Sequence, residues 1–255
     1  MLLEIFRDSF EYSFKEKKSI LSLGVLLFLS IFIVPIFLIN GYSYRIIKIG
    51  VNGMINGNDP LPEFKNIGTI FLEGIKIFIV RFIYLIPGAV VLILFSIVNI
   101  SISVIGKHET PEYSVFLFIQ LGIIAISIVI WLISLAISNV AIPHMIANKE
   151  SLKFAFKIKD ILNIIKSIGF YEYIEFYTGY IVLYLGIISA AFLLIILIGL
   201  IFGLILSPII GPIALGYSTG FMFIFYFLSA VLIIYPFFMI FENRAIALMY
   251  NTREN

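Results

Sequence analysis

The chain has 255 residues, of which 62% are hydrophobic and 13% are charged, and its formal net charge is +2. Because this number of charged side chains is too small to cover the exterior of a soluble domain of this length, the composition is that of a membrane protein. The small net charge excludes a strongly basic nucleic-acid-binding surface, and the lack of cysteine excludes disulfides, thiolate chemistry and Cys-ligated metals.

Residues 1–18 form a charged segment ahead of the first apolar run. Its larger apolar side chains recur mainly every three or four residues, as on one face of a helix: Leu2, Leu3, Phe6, Phe10 and Phe14. This pattern predicts an interfacial helix that lies along the lipid headgroups. A partly ordered tail is the alternative.

Five apolar runs follow, each long enough for the roughly 20 residues that cross a hydrocarbon core. None of these runs contains Asp, Glu, Lys or Arg. Because a charge inside the membrane usually marks an ion or proton path, this weighs against a proton-coupled pump, a channel with a charged filter and a voltage sensor. The sequence therefore predicts an all-α bundle with amphipathic interfacial helices, forming a single integral membrane domain over 1–255. Its spans are expected near 19–40, 82–105, 115–142, 177–206 and 217–241.

The segment 41–81 carries much of the polar detail of the chain. Its turn, Asp59-Pro60-Leu61-Pro62-Glu63-Phe64, is stiff because each proline fixes φ and removes a donor. A helix is expected to resume at Asn66 as its N-cap and to run along the membrane surface to Arg81. An ion pair or capping contact among four charges would hold the turn against the bundle, with separate solvated charges as the alternative: Arg45, Asp59, Glu63 and Arg244.

Ser151–Ile168 reads as a second amphipathic helix. One side carries apolar groups and the other polar groups, and the basic face is expected to attract anionic lipid. The apolar set is Phe154, Ile158, Ile161, Ile165 and Ile168, and the polar set is Lys153, Lys157, Asp160 and Asn163.

Lysine and arginine concentrate in the segments 41–81 and 143–176 and at the C-terminus, whereas the opposite loops hold Lys107. The positive-inside rule places the basic set in the cytoplasm of a cell-membrane protein. Five spans then put a basic N-terminal segment outside, which is a conflict. Either the acidic residues of that segment help it cross, or the first run is a hairpin that does not span; five spans is the preferred interpretation.

No catalytic constellation is visible. The histidines His108 and His144 fall on opposite sides of the predicted membrane without metal-ligand spacing, and no nucleophile with a neighbouring base or Gly-rich phosphate loop occurs. We therefore expect no catalytic residue, cofactor or metal site. An enzyme acting on lipid headgroups would require one cytoplasmic cluster of Asp59, Glu63, Asp160 and Glu242.

Polar and small residues inside the runs allow two interpretations. Asn99, Gln120, Ser134, Ser138 and Asn139 serve either as helix-to-helix hydrogen bonds or as a substrate path. The glycine pairs Gly199/Gly203 and Gly216/Gly220 serve either packing within the chain or a homodimer face. A substrate path, together with kinks at Pro35, Pro87, Pro143 and Pro236, is the basis for the alternative of a small-solute transporter.

Three blocks of residues carry a resemblance to a known family. They are Gly41-Tyr42 with Arg45, Asn56-Gly57, Leu61-Pro62-Glu63-Phe64, Gly74 and Tyr84-x-x-Pro87; then Phe156-x-x-x-Asp160-Ile161; and Ile210-Gly211-x-x-x-x-Gly216-Tyr217 with Arg244 and Tyr250. With these blocks the chain resembles a family of multi-pass membrane proteins, mostly archaeal, known as domain of unknown function 4013. Lys48 stands where an Arg is common. The resemblance implies no activity.

A more distant similarity, to membrane domains attached to some glycerophosphodiesterases, is a fold-level analogy for a lipid role. We expect a non-enzymatic membrane protein, lipid-associated or serving assembly as a scaffold. Its expected partners are membrane lipid and a homo-oligomer or another membrane subunit, with no nucleic acid. The residues expected to form its structural motif are Arg45, Asp59, Pro60, Pro62, Glu63, Phe64, Asp160 and Arg244.

Overall fold

The structure, a computed structural model, describes the backbone of residues 1–105 and 113–254 and the side chains of 1–97 and 118–253. Regular structure in these residues is helical and includes no strand, as the all-α prediction requires. His108 and its loop lie outside the described residues, and so does the side chain of Asn99.

Ten α-helices account for most of the described chain. They are α1 (Leu2–Phe14), α2 (Lys17–Phe28), α3 (Val34–Val51), α4 (Ile67–Ile105), α5 (Tyr113–Ala147), α6 (Leu152–Ala155), α7 (Ile158–Ile168), α8 (Phe170–Ile210), α9 (Ile213–Ser229) and α10 (Tyr235–Asn251). Short 3-10 turns occupy Leu29–Phe32 and Thr252–Glu254, and a π turn, Ala230–Ile234, joins α9 to α10.

Within the described residues, four helical stretches are long and apolar enough to cross a membrane: Ile67–Ile97, Phe118–Ala147, Phe170–Ile210 and Ile213–Asn251. The described part of the chain therefore has four candidate membrane spans, where the sequence predicted five. The difference lies in the first apolar run, near 19–40. That run is divided between α2 and α3, because Pro35 sits in the first turn of α3, where a proline starts a helix.

The expected surface helix after Asn66 and the second span form one helix. The Asn66 carbonyl accepts the N–H groups of Thr69 and Ile70 at 2.9 and 3.1 Å, so α4 begins directly after it. No Gly or Pro occurs between Gly74 and Pro87, so nothing in the sequence ends the helix at Arg81.

The predicted helix Ser151–Ile168 is divided instead, into α6 and α7. The hydroxyl of Tyr84 donates to the Ala155 carbonyl at 2.8 Å, which gives the last carbonyl of α6 a partner outside its own helix. In α7 the buried face is formed by Ile161, Ile165 and Ile168, as the pattern predicted, whereas Ile158 of the same predicted face is 54% exposed.

The chain forms two compact units. The first contains residues 1–75 and 165–255, and the second contains residues 76–164. In the first unit α1, α2 and α3 pack on α10, and α8 and α9 form an antiparallel hairpin. In the second unit α5 packs against α6. That the whole chain makes a single membrane domain stays a prediction.

Glycines allow close helix crossings in the first unit. A Cβ on Gly41 would overlap the Ile70 carbonyl, and one on Gly74 would overlap the Phe37 carbonyl, so α3 and the start of α4 touch through their backbones. The pair Gly199/Gly203 packs against α9 within the chain.

The other glycine pair of the sequence lies on an open face of the same hairpin. A Cβ added at Gly216 or Gly220 would meet no atom within 4 Å. The homodimer face at this pair stays a prediction.

The π turn lies where Pro236 enters the helix. Proline has no N–H for the carbonyl four residues earlier, here Leu232, and its ring would crowd that carbonyl in a regular helix. A wider turn removes this clash. In the same place Gly24 of α2 lies so close to the Leu232 carbonyl that a Cβ would overlap it.

Candidate functional site

A buried guanidinium forms the centre of the polar structure in the first unit. Arg244 on α10 is 0% exposed. Its Nε donates to Oδ2 of Asp8 at 2.9 Å, and its Nη1 lies 2.8 Å from Oδ2 of Asp59. The ring of Tyr12 lies 4.8 Å from the guanidinium carbon. A cation taken out of water is costly, and here two carboxylates and an aromatic face compensate it. We call Asp8, Tyr12, Asp59 and Arg244 the Arg244 cluster.

The Arg244 cluster fixes the proline-rich turn to α1. The second carboxylate oxygen of Asp8, Oδ1, accepts a hydrogen bond from the backbone N–H of Asn56 at 2.9 Å. The Tyr12 hydroxyl donates to the Pro60 carbonyl at 3.0 Å, and Lys15 donates to the Asp59 carbonyl at 2.8 Å. Burial raises the pKa of Tyr12, with the positive charge of Arg244 opposing this effect. The phenol therefore stays protonated and remains a hydrogen-bond donor.

A second ion pair joins α3 to the start of α4. The Nε of Arg45 donates to Oε2 of Glu73 at 2.7 Å, and the two side chains are 19% and 14% exposed. The Nη1 of Arg45 also donates to the carbonyls of Glu63 and Lys65, at 3.1 and 2.9 Å. The side chain of Arg45 thus binds both the residues directly after Pro62 and the start of α4.

An open pocket of about 630 Å³ lies beside this ion pair. Its inner charges, Arg45, Asp59 and Glu73, are taken up in ion pairs. Its outer charges, Lys48, Glu63 and Lys65, are exposed, and Glu63 pairs with Lys65. The pocket therefore presents both signs of charge on rigid walls. Its lining residues are Arg45, Lys48, Ile49, Asn52, Asp59, Pro62, Glu63, Lys65, Asn66 and Glu73.

The structure brings together most of the residues that the sequence analysis singled out. Asp59 pairs with Arg244, and Glu63 meets Arg45 through its carbonyl, not its carboxylate. Phe64 stacks on Tyr42 with the ring centres 4.4 Å apart.

Asp160 and Glu242, two of the acidic residues that an enzyme acting on lipid headgroups would require, have other surroundings. Asp160 belongs to the second unit, where its side chain is 46% exposed and lies 3.5 Å from Lys157. The carboxylate of Glu242 accepts a hydrogen bond from Tyr180 at 3.2 Å. Neither residue lines the pocket.

Sequence reasoning missed Asp8, Tyr12 and Glu73. The face of α1 that packs inward carries Ile5, Asp8 and Tyr12, spaced at three and four residues, whereas the sequence analysis considered only the apolar stripe and assigned the helix to the lipid headgroups. Leu3, Phe10 and Phe14 of that stripe are 83%, 41% and 54% exposed. The signal available in the sequence was that Asp8 shares a helical face with Ile5 and Tyr12.

The arrangement is suited to binding and to holding segments together. Among the described residues no group of three or more His, Asp or Glu side chains could hold a metal ion. Nδ1 of the His144 ring lies 3.2 Å from the side-chain amide nitrogen of Asn148. In α5 the hydroxyls of Ser127 and Ser138 donate to carbonyls of their own helix, at 2.8 Å each.

One comparison with known proteins gives a match. A family model described as "Protein of unknown function (DUF4013)" matches residues 26–198. No curated protein and no solved structure matches the chain. The matched range contains every residue that lines the pocket, whereas Asp8, Tyr12 and Arg244 lie outside it.

Proposed function

Since the chain belongs to the DUF4013 family, whose description assigns no function, we propose a role from the geometry: a non-enzymatic membrane protein that binds phospholipid headgroups. The observation that carries this proposal is the open pocket between the end of α3 and the start of α4. The apolar part of α4 is a candidate membrane span, so its polar beginning is expected at headgroup depth.

The chemistry of the pocket fits a phosphate with an attached polar group. The exposed ammonium groups of Lys48 and Lys65 are suited to the phosphate, and each contributes about 1 kcal/mol of attraction near an anionic surface. The carboxylate of Glu63 is suited to an amine or a hydroxyl of the headgroup. The Arg45–Glu73 pair fixes the wall behind them.

The acidic groups support a binding role over catalysis. The carboxylates of Asp8, Asp59 and Glu73 each lie against a guanidinium. A carboxylate held in this way is not placed to accept a proton from a bound substrate. Likewise, the hydroxyls of Ser127 and Ser138 are engaged with their own helix, which gives a transporter's substrate path no support.

The proposed location is the cell membrane, with the segments 41–81 and 143–176 and the C-terminus in the cytoplasm. The support is the concentration of lysine and arginine in these segments. In this orientation the pocket opens towards lipids of the cytoplasmic leaflet.

Ligand-induced stabilisation of the purified protein in detergent tests the proposal. A ligand that binds the folded state raises its unfolding temperature. We expect short-chain phosphatidylglycerol to raise Tm more than short-chain phosphatidylcholine. The double variant Lys48→Ala/Lys65→Ala is expected to lose this shift, whereas the charge-matched control Lys17→Ala/Lys18→Ala keeps it. An equal shift in both double variants, or the full shift with inorganic phosphate alone, would show that the pocket is not a lipid site.

A further inference from the structure

We infer that the first apolar run is a re-entrant membrane element. It enters the hydrocarbon from the side that carries the turn at Asp59–Phe64 and returns to the same side. The chain then has four spans, and both termini lie on one side of the membrane. This inference is independent of the proposed lipid pocket.

The two ends of the element meet at one guanidinium. Asp8 precedes α2 and Asp59 follows α3, and their carboxylates lie 2.9 and 2.8 Å from nitrogens of Arg244. A bilayer core is about 30 Å thick. A segment whose ends contact the same side chain cannot end on opposite sides of such a core.

Further hydrogen bonds close the element at its base. Tyr12, ahead of α2, donates to the carbonyl of Pro60, which follows α3, at 3.0 Å. Lys15 donates to the side-chain oxygen of Asn58 at 3.3 Å as well as to the Asp59 carbonyl. The return of the chain therefore rests on several contacts in addition to Arg244.

The element reaches hydrocarbon depth beside the last span. Gly24 of α2 touches the Leu232 carbonyl in the π turn. At 1.5 Å per residue, Leu232 lies about 18 Å from Arg244 along the helix axis. That distance is more than half of the roughly 30 Å core, so α2 extends well below the headgroups.

The tip of the element has the chemistry of a lipid-facing surface. Ile31 and Phe32 are 84% and 71% exposed, and no charged residue occurs between Ile20 and Asn40. Backbone groups in lipid need internal partners. The 3-10 turn and the start of α3 supply such partners. The N–H of Ile33 donates to the Ser30 carbonyl at 3.1 Å, and the N–H of Ile36 donates to the Ile33 carbonyl at 3.0 Å. The occupant of this surface is the acyl-chain region of one leaflet.

Charge placement agrees with four spans. The N-terminal basic residues Arg7, Lys15, Lys17 and Lys18 move to the side that the positive-inside rule assigns to the other basic segments. Because none of the five apolar runs contains Lys or Arg, every lysine and arginine of the sequence except Lys107 is then assigned to the same side. The conflict created by five spans no longer arises.

The native chain has no cysteine, so single-cysteine variants report sidedness without background. In sealed vesicles of known orientation, a membrane-impermeant maleimide tests Glu4→Cys ahead of the element, Lys65→Cys behind it and Ile31→Cys at its tip. These side chains are exposed in the structure, so the substitutions remove no core contact. Glu109→Cys, between α4 and α5 in the sequence, marks the side predicted to be opposite.

We expect Glu4→Cys and Lys65→Cys to react from the same side, and Glu109→Cys from the other. Ile31→Cys is expected to react from neither side in intact vesicles and to react after detergent is added. Reaction of Glu4→Cys and Lys65→Cys from opposite sides would overturn the inference, as would reaction of Ile31→Cys from either side of intact vesicles. Loss of lipid binding at the pocket would leave these results unchanged.

Discussion

Arg244 and Asp8 are 236 residues apart in the chain, and the Nε of one lies 2.9 Å from Oδ2 of the other. The side chains are 0% and 6% exposed. The ion pair therefore joins the first helix to the last in a buried position. Without Arg244 the carboxylate of Asp8 would be buried and uncompensated.

Arg244→Ala is expected to lower the free energy of unfolding by about 3–5 kcal/mol, since it leaves two carboxylates without their cation. Denaturant unfolding in detergent micelles measures this loss. The matched control is Arg7→Ala on α1, whose ion pair with Glu11 is 77% and 60% exposed, and its midpoint is expected to stay at the wild-type value. Similar midpoints for the two variants would contradict the buried ion pair.

Glu73→Gln tests the pair that fixes the pocket wall. Loss of a charged hydrogen bond between largely buried groups is expected to cost about 1.5–3 kcal/mol. Glu63→Gln is the control, because that carboxylate is 66% exposed and pairs with Lys65, so its effect should stay within about 0.5 kcal/mol. A double-mutant cycle of Glu73→Gln with Arg45→Gln measures the coupling energy directly. A coupling near zero would exclude the Arg45–Glu73 contact.

Gly74→Ala is expected to push α3 and α4 apart, because the new methyl group would overlap the Phe37 carbonyl. Overpacking of this kind costs about 1–3 kcal/mol. Gly68→Ala on the same helix meets no atom within 4 Å and should leave stability unchanged or raise it by up to about 1 kcal/mol. Thermal unfolding of the two variants compares them, and equal tolerance would rule out the close crossing.

Alkaline unfolding tests the burial of Tyr42. Burial raises the pKa of Tyr42 to about 12 from its ordinary value of 10.0. Between these values the unfolded chain loses the phenolic proton while the folded chain keeps it, so the contribution of Tyr42 to stability is constant below about pH 10 and is lost as pH rises to about 12. Tyr42→Phe removes this contribution and should flatten the decline. Tyr171→Phe, whose ring is 85% exposed, is the control, and an identical decline in both variants would refute the assignment.

Much of the fold was readable from the sequence because lipid imposes a simple rule on composition. Long uncharged runs gave the all-α class and the four spans that the structure retains. The first run has the length of a span, so its composition alone does not show that it is divided between α2 and α3. The inferred return of the chain rests on contacts between residues on either side of that run, such as those of Arg244 with Asp8 and Asp59, and a sequence does not display these contacts.

The candidate site was partly predictable. Charges near a rigid turn favoured a contact among Arg45, Asp59, Glu63 and Arg244, and the structure contains the pair of Asp59 with Arg244. The roles of Asp8 and Glu73 depend on which helices cross. For Glu73 this is the crossing of α3 and α4 at Gly41 and Gly74, and for Asp8 it is the packing of α1 on α10; no local pattern encodes either.

The π turn at Ala230–Ile234 changes the direction in which the side chains of the last helix point. One extra residue in a turn rotates everything after it by about 100° relative to a regular α-helix. The direction in which the guanidinium of Arg244 points is therefore set two to three turns upstream, where Pro236 widens the backbone. Deleting a single residue from this turn would swing the cation away from both of its carboxylates while every residue that binds it stayed intact.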